Sequence, residues 1–75
     1  MIDNNKTKFL IDCIVEDMAK YLVEDKCVSE IEALDTIYNS QTYEKITDLS
    51  TGLYYQSSGY NYDMLKHELK YGKIY

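Results

Sequence analysis

Between Asn5 and Asp25 the apolar residues Leu10, Ile11, Ile14, Val15, Met18 and Leu22 return at steps of three and four, the period of one face of an α-helix. Asp12, Glu16 and Lys20 descend the opposite side at four-residue steps, with Glu16 ahead of Lys20 in the order that favours an i,i+4 ion pair. Phe9, Cys13 and Val23 widen the apolar stripe, and Tyr21 lies on its flank. One neighbouring helix cannot cover a stripe that wide. The first helix therefore needs several packed helices, or a second subunit, around it.

The rest of the chain supplies helices. In Val28-Ser29-Glu30-Ile31-Glu32 the Ser29 hydroxyl is placed to cap a helix and Glu32 to reach back to the cap, the spacing of a capping box. The helix that follows carries Ile31, Leu34 and Tyr38 on one line with Ala33 and Ile37 beside it, and is expected to stop near Asn39. Ser40 caps a short helix from Gln41 to about Asp48 with Tyr43, Ile46 and Leu49 on its apolar side, and Gly52 ends it in a left-handed turn. Leu53-Tyr54-Tyr55 has a β-forming composition but no partner strand, so it is expected as an extended connection that presses Leu53 and one tyrosine into the helices. Ser57 or Ser58 then caps a last helix to about Tyr71, with Tyr62, Leu65 and Leu69 inward. Lys66 and Lys70 lie near its carboxyl end, and Gly72 terminates it. The expected fold is all-α, one small domain over residues 1–75: a bundle of three longer helices plus one short helix, with no sheet and the first helix central.

Charge and cysteine usage narrow the partners. The net charge is −5 and is concentrated in residues 1–40, which hold nine carboxylates and four lysines; there is no arginine. Such a chain repels phosphate backbones and lacks the bidentate fork that reads bases, so a basic protein partner is expected and nucleic acid is not. Cys13 and Cys27 are separated by about 21 Å along a continuous helix, too far for a disulfide, and are expected as free thiols. With one histidine and no Cys-x-x-Cys, neither a metal site nor a cofactor is expected. The polar Met-Ile-Asp-Asn-Asn-Lys start and the lack of a long apolar run predict a cytosolic protein without a membrane partner.

Thr51 to Tyr62 holds four of the nine tyrosines and no charge, among Ser, Gly, Asn and Gln. That mixture of stiff amphipathic rings and adaptable hydrogen-bonding groups is the chemistry of recognition loops. Tyr54, Tyr55 and Tyr60 are the candidate partner-binding residues, with one of the first two expected inward beside Tyr62. His67 has Asp63 four residues before it and Tyr71 four after, which permits an acid/base grouping on one helical face. No nucleophile accompanies it in the sequence, Cys13 lies in an apolar stripe, and no catalytic residue is assigned. The expected function is a non-enzymatic interaction module that self-associates, as a homodimer, or binds a partner protein. The alternatives are an antitoxin-like neutraliser of a neighbouring toxin, and a small enzyme or enzyme accessory using His67.

The run Ile37-Tyr-Asn-Ser-Gln-Thr-Tyr-Glu-Lys-Ile46, followed by Asp48, Thr51-Gly-Leu-Tyr54, Gln56-Ser57, Tyr60, Tyr62, Leu65 and Glu68-Leu69, resembles a family of short uncharacterised helical proteins of Firmicutes. The likeness covers the second half of the chain. It implies a compact bacterial helical fold and no catalytic residue, and members of that family commonly carry proline where this chain has Ser58.

Overall fold

The computed structural model describes residues 4–72, with side chains described from Lys6 onward. Among these residues there are four α-helices and no strand: α1 (Asn4–Lys26), α2 (Glu30–Tyr38), α3 (Gln41–Thr47) and α4 (Ser58–Tyr71). Two 3-10 turns, Leu49–Thr51 and Leu53–Tyr55, join α3 to α4. The all-α class is as expected, but the lengths are not. The helices have 23, 9, 7 and 14 residues, so two are long and two are short. α2 ends at Tyr38, where the sequence places its stop, because Asn39 turns back on it: its side-chain amide donates to Asp35 O at 2.8 Å and to Asp35 Oδ1 at 3.1 Å. Ser40, next in the chain, already caps α3.

α2, α3 and α4 each start on a serine cap that the sequence offered, although among the described residues no bond from the Ser29 amide back to the Glu32 carboxylate completes the capping box. Ser29, Ser40 and Ser57 accept the amide N–H three residues on, from Glu32, Tyr43 and Tyr60 at 3.0–3.1 Å. Of the two serines available to α4, Ser57 is the cap. Ser58 is the first helical residue, and its hydroxyl donates to Asp17 Oδ2 on α1 at 2.7 Å. Gly52 and Gly72 are both left-handed, at φ 70° and 77°, and close the first 3-10 turn and α4.

α1 is central. It packs against α2 on one side and against α4 and the second 3-10 turn on the other, while α3 leans on α4 and the turns. The core is one cluster built from Ile11, Ile14, Val15, Met18, Ala19 and Leu22 of α1, joined by Ala33, Ile37, Ile46, Tyr54, Tyr62 and Leu65. Full burial of a side chain such as Leu65 or Ile37 stabilises by about 1.5–3 kcal/mol each.

Several inward assignments change. On α2 the residues buried against α1 are Ala33 and Ile37, whereas Ile31 is 80% exposed and Tyr38 half-exposed. The small Ala33 lets the two helices approach, and that approach turns Ile31 out. Phe9 does not extend the core but stands 66% exposed. On α4, Leu69 is exposed because the last inward position belongs to Glu68. The Glu16–Lys20 pair is not closed, whereas Lys66 and Asp63 on α4 meet at 3.4 Å. Leu53–Tyr55 is a 3-10 turn and not an extended segment, because the Tyr55 and Gln56 amides bond back to Gly52 O and Leu53 O at 3.1 and 3.0 Å.

Two local features carry tests. Cys27 follows α1 in a left-handed conformation, φ 55°, which a residue with a Cβ adopts at a cost. The substitution Cys27→Gly is expected to stabilise the protein by about 0.5–1 kcal/mol, seen as a higher urea midpoint at unchanged m-value. An unchanged or lower midpoint would show that the turn is not strained.

Tyr62 is buried, stacks at 5.1 Å on Tyr21, and its hydroxyl donates to Asp25 Oδ2 at 2.7 Å, tying α4 to the end of α1. Burial raises the Tyr62 pKa well above that of a free tyrosine, and the hydrogen bond to Asp25 and its charge add to this. The folded state therefore holds this proton more tightly than the unfolded chain does. The corresponding stability is intact below about pH 10 and is lost as pH rises beyond it. Tyr62→Phe is expected to cost about 1–2 kcal/mol at neutral pH, and the gap from wild type should shrink in alkaline urea titrations. A constant gap would contradict the assignment.

Candidate functional site

α1 and α2 form an antiparallel hairpin, and on one side of it they leave a groove. At one end it is lined by Lys20, Val23 and Glu24 of α1 and by Glu30 at the start of α2. At the other it is lined by Asp12 and Val15 of α1 and by Leu34 and Tyr38 of α2. Glu16, Ala19 and Glu30 are common to both halves, so the depression is continuous. Its α1 wall, Asp12 to Glu24, is about 18 Å long.

The helical period that built the core also built this groove. Val15 and Ala19 are buried, and Val23 and Leu34 are half-buried, which makes the floor apolar. Asp12, Glu16, Lys20, Glu24 and Glu30 are exposed and form the rim, four carboxylates against one ammonium. α4 packs on the opposite side of α1, where Asp17, Tyr21 and Asp25 meet Ser58 and Tyr62. At the Asp12 end, Tyr38 meets Tyr43 edge to face at 5.0 Å. Burial raises the Tyr43 pKa above its usual value, with the charges of Tyr38 and Asp12 adding to the effect. Phe9 is one turn beyond Asp12 on the same face of α1.

The tyrosine segment is divided. Tyr54 is 9% exposed and belongs to the core, while Tyr55 is 74% exposed and stacks on it with ring centroids 4.3 Å apart. Tyr60, in the first turn of α4, is also exposed. Of the three tyrosines named from the sequence, Tyr55 and Tyr60 are therefore presented to solvent and Tyr54 is not.

His67 lines a shallow depression with Tyr60, Asp63 and Met64. All four lie on α4, so the depression has a single wall on a convex helix face. Asp63 is engaged by Lys66, and the His67 ring contacts Tyr71 at 4.6 Å. An acid/base group acts on a substrate held against it, and among the described residues the lining of this depression comes from α4 alone. Among the described residues no group of three His, Cys, Asp or Glu is placed to hold a metal ion, and no helix is long and apolar enough to cross a membrane. Cys13 and Cys27 are free thiols, the first half-buried and the second exposed.

Comparison of the chain with family models, curated proteins and solved structures returns no match. The groove was not anticipated from the sequence. Its signal was present, since Asp12, Glu16, Val23 and Glu24 follow one face of α1 that mixes acids with small apolar residues, but that pattern also describes an ordinary solvated flank.

Proposed function

We propose that the protein is a non-enzymatic interaction module that self-associates through its uncharged tyrosine segment. The observation that carries this reading is Tyr55, an aromatic ring 74% exposed and braced from behind by the buried Tyr54. A braced ring gives contact area at little further cost in side-chain entropy, which is what an interface anchor requires. Tyr60 supplies a second exposed ring five positions on. From Leu49 to Tyr62 there is no charge, so two copies can meet there despite a net charge of −5 per chain.

Light scattering across a concentration series tests this. The expected result is a dimer that the double substitution Tyr55→Ala, Tyr60→Ala converts to a monomer of unchanged helical content, with a melting temperature that no longer rises with protein concentration. A wild-type monomer at the highest concentration would end the proposal. Antitoxin-like neutralisation is a special case of partner binding; the acidic face of the first half of the chain favours it, and a toxin gene beside this one is its first requirement. An enzymatic role for His67 lacks a walled pocket. Catalytic loss confined to His67→Ala, in any assay where the protein is active, would reinstate it.

A further inference from the structure

From its lining we infer that the α1/α2 groove is a docking site for a cationic amphipathic helix of another protein, with lysines or arginines flanking a narrow stripe of small apolar residues. This goes beyond self-association through the tyrosines and uses a different surface.

Charge complementarity selects the occupant. Asp12, Glu16, Glu24 and Glu30 stand around an apolar floor with Lys20 as the single opposing charge. Among the described residues none of these four carboxylates takes part in a hydrogen bond or ion pair, so their charge is available to a partner. Nucleic acid and anionic membranes are repelled by such a rim. A second copy pairing groove to groove would set carboxylates against carboxylates, which disfavours a self-complementary contact.

Shape selects a helix. A wall of about 18 Å matches roughly three turns of helix. Ala19 at the middle of the floor leaves room for a close approach, whereas Val23 and Leu34 on either side give its apolar stripe something to cover. Laying one apolar helical face into a groove between two helices is a general recognition mode, in which the flanking charges set register and on-rate.

The test titrates the isotope-labelled full chain with a capped synthetic helix of about 14 residues, carrying Ala and Leu at i, i+3, i+4 and i+7 and Lys elsewhere. Amide shifts are expected at Glu16, Ala19, Val23, Glu30 and Leu34, and affinity should fall as salt is raised. The double substitution Glu16→Lys, Glu24→Lys should weaken binding by at least about tenfold, and the milder Glu16→Gln, Glu24→Gln pair by about threefold. Both sites are exposed, so the melting temperature should hold; if the lysine variant is poorly folded, the glutamine pair decides. A peptide with Ser in place of Ala and Leu should bind at least about tenfold more weakly. Shifts centred on Tyr55 and Tyr60, affinity indifferent to the rim substitutions, or equal binding of the Ser peptide would each overturn the inference. Repeating the titration on the Tyr55→Ala, Tyr60→Ala variant separates the two readings, because groove binding should be unchanged whether or not the wild type dimerises.

Discussion

Replacing Asn61 with aspartate is expected to leave the protein mostly unfolded at pH 8 and progressively recovered as the pH is lowered towards 5. Asn61 is fully buried, and its side-chain amide donates to two backbone carbonyls, Leu53 O at 3.1 Å and Ser57 O at 3.2 Å. These two bonds pin the second 3-10 turn to the first turn of α4 and so hold Tyr54 in the core. The amide's own oxygen is buried without a hydrogen-bond partner, so the site already carries one unsatisfied polar atom. A carboxylate there has no donor to offer. It places a negative charge against two carbonyl oxygens with no cation in the site, and an uncompensated buried charge costs about 3–5 kcal/mol. A domain of this length has only about 4–11 kcal/mol in total.

The pH dependence of that variant follows from linkage. Burial and the carbonyls favour the neutral acid, so the folded-state pKa of the new aspartate lies above the unfolded value of about 3.9. A group shifted in that direction contributes its stability below the unfolded pKa and loses it as pH rises through the folded one. The protonated acid can donate to one of the two carbonyls and so restores half of the native arrangement. Urea unfolding of Asn61→Asp beside wild type at each pH measures the difference. A difference constant from pH 5 to pH 8 would mean that the carboxylate reaches water, and that Asn61 does not hold the turn in the way described.

Asn61 also marks where the sequence stopped being legible. The helix starts could be read because a cap is local chemistry: a serine hydroxyl meets an amide three residues away whatever the remainder of the chain does. The core of α1 was legible because its apolar period is long. α2 is only nine residues, too short for a period to discriminate between the Ile31, Leu34, Tyr38 line and the Ala33, Ile37 line. The distance between α1 and α2 made that choice, and it favoured the small alanine.

Beside the buried Tyr62, which the sequence placed inward, α4 turns in a row of Ser58, Asn61, Leu65 and Glu68, at steps of three and four. Three of its four members are polar, and polar residues at helical spacing read as a solvated face. Each instead has a partner distant in sequence: Asp17, the Leu53 carbonyl and the start of α3. Such partners become visible only in the fold. The same limit hid the candidate groove, whose α2 wall comes into register with α1 through the turn at Cys27, while the tyrosine segment, being continuous in sequence, could be singled out beforehand.

Glu68 carries the second large effect. Its Oε2 accepts the Gln41 amide at 2.8 Å, and its Oε1 accepts both the Thr42 amide and the Thr42 hydroxyl at 2.8 Å. Gln41 and Thr42 are the first two residues of α3, so a carboxylate from α4 caps a helix that begins 27 positions earlier. Ser40 caps only the Tyr43 amide, and Glu68 takes the two donors that Ser40 leaves. Thr42 is fully buried, so without Glu68 its hydroxyl and amide have no route to water unless α3 moves. Glu68→Ala is therefore expected to cost about 2–4 kcal/mol, from lost charge-assisted bonds and stranded donors. Glu68→Gln keeps one acceptor oxygen but turns an NH2 towards a backbone N–H, and should cost about half as much. Thr42→Val removes one of the three bonds while conserving shape, and should cost only about 0.5–1 kcal/mol in the wild type. In the Glu68→Ala background the same change should be neutral or stabilising, because it deletes a stranded hydroxyl. That reversal, measured as a double-mutant cycle in urea, distinguishes a cap from simple packing of the Glu68 stem. If the two substitutions add without coupling, α3 does not depend on α4 for its first turn.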